Sequence, residues 1–141
     1  MREILFKAKR IEDGKWIEGH YQKRYDLLGN EEHLIFHADS YTVWEYAEIN
    51  PETLCQFTGL TDKNGNKIWE NDIVSTKSNV RVQIKFGKYY DRFAMWKYHQ
   101  GFYMAFSDKG RDFYRNELGY WHNKIEIVGN IFDNPELVKE E

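Results

Sequence analysis

The sequence predicts a mainly β fold: an N-terminal β-hairpin region packed with a small, partly open C-terminal β-barrel of SH3-like or similar type, with few or short helices. Three observations carry this expectation. Aromatic residues make up 17% of the chain and prolines number only 2, a balance suited to pleated, half-buried surfaces. The run Val80-Arg81-Val82-Gln83-Ile84-Lys85-Phe86 alternates apolar and polar residues without a break, the period of a strand with one buried face. The dipeptides Asp13-Gly14 and Asn64-Gly65 are strong hairpin turns, because both positions tolerate positive φ.

Taken in order, Ile4–Lys9 and Trp16–Tyr21 read as two strands around the Asp13-Gly14 turn. Tyr25–Asn30 reads as an irregular strand ending at Gly29-Asn30, and Leu34–Phe36 and Tyr41–Ile49 as two more strands. Asn50-Pro51 breaks the run, since a residue before proline avoids the helical region; Pro51–Leu54 suits one helical turn with Pro at its first position. In the central segment, QFTGLTDKNGNKIWENDIV (Gln56–Val74), Asn64-Gly65 and Glu70-Asn71-Asp72 reverse the chain twice. Val80–Phe86 follows, with Val80, Val82, Ile84 and Phe86 facing inward and Gly87 as an interruption. Phe93–His99 and Phe102–Phe106 read as two strands around Gln100-Gly101. Asp112–Leu118 fits a short helix or a loop. Ile125–Phe132 is the last strand, with Gly129 as a bulge, and Pro135–Val138 a final helical turn.

The 141 residues fit one domain, residues 1–141, with a subdivision into an N-terminal β region, 1–55, and a barrel-like region, 56–141. One cysteine, Cys55, excludes an intrachain disulfide and any cysteine-only metal cluster and suits a reducing compartment. No apolar run reaches the length of roughly 18 residues that spans a bilayer, and charges enter from the second position, unlike a signal peptide. The expectation is a cytoplasmic protein with no membrane partner. The formal net charge is −3, unevenly spread: residues 80–124 carry 9 basic and 4 acidic side chains, whereas residues 1–60 carry 7 and 11.

The central run QFTGLTDKNGNKIWENDIV resembles the signature of YopX-like proteins, of the form QYTGL-D-NG--IYEGDIV. The opening MREILFKAKR resembles that family's REIKFRAW. Glu48–Thr53 resembles its V-PET lead-in, and Val82–Phe86 its next strand. Ile127–Leu137 resembles its ending VIGNIYENPEL. The matches run in order from end to end. Asn71 departs from the pattern, standing where the family usually has Gly. The resemblance implies a small β-rich protein of bacteriophage or prophage type, in a family that offers no established activity and no catalytic or ligand residues to carry over.

Several residues carry candidate chemistry. His33 and His37 are spaced as a helical zinc pair, but on a strand positions i and i+4 lie roughly 13 Å apart, too far for one ion. Cys55 has no protease or redox motif around it, and a lone Cys is ordinarily a small buried hydrophobe. Asp62, Glu70 and Asp72 could do acid–base work or hold a hard cation; Asp and Asn are equally the residues that turns use to bond nearby backbone N–H groups. The most functional-looking region is 80–124, where the basic residues are interleaved with 13 aromatics. Small barrels bind single-stranded nucleic acid with that combination, cations following phosphates and rings stacking on bases. The candidates are Arg81, Lys85, Lys88, Tyr89, Tyr90, Arg92 and Trp96. The ordinary reading is that aromatics fill a small core while Lys and Arg line the solvent side.

The expectation is therefore a non-enzymatic protein without cofactor or metal, an interaction module whose partner is a host or phage protein. Single-stranded nucleic acid binding through 80–124 is the alternative. Self-association through sheet edges is compatible with either.

Overall fold

The computed structural model describes residues 3–40, 43–91, 97–106 and 115–138. The chain is mainly β, and its strands form two open antiparallel sheets; among the described residues no barrel closes. Two compact units divide at residue 57, Met1–Phe57 and Thr58–Glu141.

The first unit holds β1 (Phe6–Lys9), β2 (Trp16–Tyr25), β3 (Glu31–Ser40), β4 (Val43–Glu48) and the start of β5 (Cys55–Thr61). Their order is β4-β3-β2-β1-β5, every pairing antiparallel. The β1–β2 turn forms at Asp13-Gly14: the Asp13 carboxylate accepts the Lys15 N–H at 3.0 Å and Gly14 takes φ +70°. Ala8, Ile35 and Ile49 are buried, with Phe6, Ile17, Tyr21 and Leu54 packed on them. Gly19 is required by close approach, because a methyl group there would overlap the Phe36 carbonyl oxygen of the neighbouring strand.

Pro51–Thr53 is a 3-10 turn capped by Asn50, whose side chain accepts the Glu52 N–H. Thr53 is buried there, its hydroxyl donating to the Asn50 carbonyl at 2.7 Å and accepting the Lys9 N–H at 2.8 Å. Two strands are longer than the sequence reading gave. β3 runs ten residues, not three. β2 takes in Tyr25, and Asp26–Asn30 is a tight turn, not an irregular strand. The Asp26 carboxylate gathers the N–H groups of Leu28 and Asn30 at 2.9 Å each, which closes the loop.

The second unit holds the rest of β5, then β6 (Lys67–Trp69), β7 (Asp72–Ser75), β8 (Arg81–Asp91), β9 (Lys97–Met104) and β10 (Glu126–Asn130), with the short helix α1 (Leu118–Trp121). Its sheet runs β10-β7-β8-β9. The core is Ile68, Val74, Val82, Ile84, Met104, Leu118 and Ile125. The pairing of β10 with β7 slips between Ile127 and Gly129, the bulge that Gly129 indicates. Pro135–Val138 forms a 3-10 turn.

Here too the strands overrun the sequence reading. Gly87 does not interrupt β8; it lies directly opposite Gly101 of β9, and both strands run on through that rung. Gln100-Gly101 therefore sits inside β9 instead of separating two strands. Phe86 is 49% exposed, although its alternation with Ile84 puts it on the inward face, because the core beneath β8 ends at Ile84. The expected segment Phe93–Trp96 and residues 112–114 of Asp112–Leu118 lie outside the described residues. Among those described, no helix is long and apolar enough to cross a membrane.

Asn71 takes φ +72°. That left-handed conformation costs most side chains roughly 1–2 kcal/mol, and Asn is among the few residues that visit it routinely. The Asn71 N–H donates to the Ile84 carbonyl at 2.8 Å, and its own carbonyl accepts the Ile131 N–H at 3.1 Å.

Candidate functional site

Beyond Ile84 the strands β8 and β9 run on as a two-stranded ribbon: β7 pairs with β8 only from Arg81 to Gln83. Directly paired residues share a face in an antiparallel ladder, so the register sorts the side chains. Arg81, Gln83, Lys85 and Tyr89 of β8 share one face with His99 and Tyr103 of β9. Phe86, Lys88 and Tyr90 share the other with Phe102, Gln100 and Tyr98.

On the first face the Gly87–Gly101 rung carries no side chain. The two glycines hold φ of +153° and +159°, backbone that L side chains rarely adopt. Tyr89 and Tyr103 sit four rungs apart, on either side of the glycine rung, yet their rings stack with centroids 5.2 Å apart. The Asn116 carbonyl accepts the Met104 N–H at 2.7 Å, and the Asn116 side-chain amide donates to the Tyr90 carbonyl at 2.8 Å. A straight ribbon would hold those two positions roughly 20 Å apart. The ribbon therefore bends at the glycine rung, and Asn116 clasps its two ends.

On the second face Phe86 and Phe102 meet edge to face at 4.9 Å, and Tyr90 and Tyr98 tilt together at 5.4 Å. The Lys88 ammonium stands 4.5 Å from the centre of the Tyr98 ring, a cation–π contact of about 0.5–1 kcal/mol when exposed. Tyr98 is 65% exposed.

The structure thus divides the candidates. Arg81, Lys85 and Tyr89 are brought to one face, Arg81 and Lys85 both exposed; Lys88 and Tyr90 lie on the other. Arg92 and Trp96 lie outside the described residues. Among the described residues the ribbon offers two smaller surfaces: a basic one with stacked tyrosines, and an aromatic one whose Lys88 is already seated on the Tyr98 ring.

The central carboxylates do structural work. Asp62 is buried, and its carboxylate accepts the N–H groups of Asn64 and Asn66 at 2.9 Å each and of Ile127 at 3.1 Å. Burial alone would push its pKa up; the backbone N–H groups of Asn66, Ile127 and Asn64 outweigh that and hold it below the ordinary value. Asp72, also buried, accepts the Trp69 N–H at 2.8 Å. Cys55 is buried, its thiol 3.3 Å from the Thr53 carbonyl. His33 and His37 lie four residues apart on β3, and His33 Nδ1 is 2.6 Å from the Tyr21 hydroxyl. Among the described residues no three His, Cys, Asp or Glu side chains are grouped to hold a metal ion.

Sequence reasoning missed one surface. At the β2–β3 turn Leu27 is fully exposed and Leu28 is 87% exposed. Asp26 fixes the loop that carries them, its pKa lowered first by the Asn30 N–H. The signal was present as two adjacent leucines between an Asp and a Gly-Asn pair, where no strand period can bury both.

The molecule is a small, mainly β protein of two compact units, one with a bent ribbon and the other with a hydrogen-bonded turn that exposes two leucines. It belongs to the YopX family, described as YopX protein, whose pattern matches residues 5–139. Among curated proteins no sequence is similar enough to count as a relative. Among solved structures, the chain is similar to the crystal structure of protein EF1440 from Enterococcus faecalis, at 23% identity and a TM-score of 0.48, over 99% of this chain and 100% of that one.

Proposed function

We propose that the protein is a non-catalytic interaction module that docks on another protein through the Leu27–Leu28 tip. The observation that carries this reading is the pair of leucines held in water on a loop already closed by Asp26. Burying a leucine side chain gains about 1.5–3 kcal/mol, so two form an anchor of interface hot-spot size. A loop that is already ordered loses little entropy on binding. The use of Asp62 and Asp72 as backbone acceptors supports a non-catalytic reading of the central segment. The partner is a protein of a bacterial host or of its phage, met in the cytoplasm; the family resemblance supports that setting.

The test is capture from bacterial lysate by the tagged protein and by the double variant Leu27→Ser/Leu28→Ser. A partner retained by the first and lost by the second is expected. Retention by both alike, or repeated capture of nothing, rejects the reading.

A second reading rests on the other surface. Arg81, Lys85 and the stacked Tyr89 and Tyr103 share one ribbon face, and this combination of cations and rings suits single-stranded nucleic acid. It predicts oligonucleotide binding that weakens as salt rises and on Arg81→Glu or Lys85→Glu. Folded protein that gives no anisotropy change at low salt disposes of it.

A further inference from the structure

A pocket of about 220 Å³ opens beside the turn between β7 and β8. Val80, Phe106 and Trp121 form its apolar walls, and Lys77, Lys124 and Thr76 stand around them. The Phe106 and Trp121 rings pack on each other, tilted at 56° with centroids 5.5 Å apart. Its walls are held in place. The Trp121 indole N–H donates to the Arg115 carbonyl at 2.6 Å. The Thr76 hydroxyl accepts the Val80 N–H at 3.3 Å, and the Asn79 N–H closes the turn onto the Thr76 carbonyl.

Among the described residues the charge is one-sided: two lysines and no carboxylate line the pocket. Among the described residues the Lys124 ammonium bonds the neutral oxygens of Tyr120 at 2.8 Å and Asn123 at 3.3 Å. Both lysines are exposed. A cavity of about 150 Å³ already accepts one benzene-sized ring. The extra volume here fits a ring and a short acidic arm, and is too small for a drug-sized ligand.

We propose that this pocket binds a small aromatic acid: a single ring lying against Trp121, Phe106 and Val80, with its carboxylate between Lys77 and Lys124. The same chemistry occurs as a free acid or as the C-terminal phenylalanine of a peptide.

The test follows backbone and indole N–H signals by NMR during titration with 3-phenylpropionate, with its neutral amide, and with a short peptide ending in Phe as acid or amide. Saturable shifts at the Trp121 indole and across Thr76–Val80 are expected, with a Kd on the order of 1 mM for the free acid. The neutral amide should bind at least tenfold more weakly, and so should the acid to Lys77→Glu or Lys124→Glu. Both lysines are exposed, and the variants' spectra report directly that they are folded. A peptide acid that binds more tightly than the free acid assigns the natural source to a chain terminus; weaker binding assigns it to a small molecule; either upholds the ligand class. Absence of saturable shifts up to about 10 mM, equal response to acid and amide, or undiminished binding by both lysine variants overturns it.

Discussion

The Asp62 carboxylate accepts the backbone N–H of Ile127 at 3.1 Å, across 65 residues of sequence. The same side chain closes the Asn64-Gly65 turn through two further N–H groups. One carboxylate thus shapes a hairpin and fastens it to β10.

Asp62→Asn keeps the shape and loses the charge, and one of its amide hydrogens is turned toward a backbone donor. A hydrogen bond to a charged group contributes about 1.5–3 kcal/mol, and the variant is expected to lose about that much in urea denaturation at pH 7. The pH dependence has a definite sign. The Asp62 pKa is lower in the folded state, so its stabilisation is complete above the unfolded value of about 3.9 and is lost as pH falls through the folded value. Wild-type and variant stabilities should therefore converge below about pH 4; a gap that stays constant into acid would count against this role.

Asn71 separates conformation from contact. Asn71→Ala must hold φ +72° with a Cβ and no compensating bond, and it also removes the acceptor that Gln83 uses at 3.0 Å. It should cost about 1–2 kcal/mol. Asn71→Gly relieves the backbone while it loses the side-chain bond to Gln83, so it should stay within about 1 kcal/mol of wild type. Equal losses in the two variants would show that the backbone conformation is not what matters.

Gly19→Ala places a methyl group against the Phe36 carbonyl oxygen and close to the Ile35 side chain. Neither backbone strand can yield without breaking its ladder, so a loss of at least about 2 kcal/mol is expected, at the upper end of overpacking effects. A thermal melt reads it; an unchanged melting temperature would mean the strands are not this close.

Asn116→Ala removes the bond to the Tyr90 carbonyl, while the bond from Met104 N–H to the Asn116 carbonyl is kept. Hydrogen exchange should quicken at residues 86–90 and 98–102 with little change in global stability, since opening there is local. Uniform exchange changes across the second unit would argue against a clasp specific to the ribbon.

The sequence carried the local chemistry of this fold more fully than its extents. Asp13-Gly14, Asn64-Gly65 and Asn50-Pro51 act where their residue types require. The alternation from Val80 identified a strand and its buried side. It does not say how far the core reaches beneath that strand, so the alternation alone puts Phe86 inside. Gly87 and Gly101 each read as a break, because a paired glycine rung is recognisable only once the register is known. The candidate site was partly legible: strand parity already puts residues 81, 85 and 89 opposite 88 and 90. The composition of 80–124 carries no such parity. The bend clasped by Asn116 had no local signal, because its two bonds reach segments 12 and 26 residues away.

The bond from Asp62 to Ile127 also orders events during synthesis. A ribosome delivers the chain from its N-terminus, and units fold as their segments emerge. Met1–Phe57 can pair its own strands as soon as it emerges, since the Phe57 N–H closes on the Leu5 carbonyl at 2.9 Å. The second unit has its hairpin early and its fastening strand late. Until Ile127 is made, the Asp62 carboxylate has two of its three backbone donors and the β7 edge lacks β10. A nascent chain is thus exposed to edge-to-edge pairing with its neighbours for as long as that last stretch takes to translate.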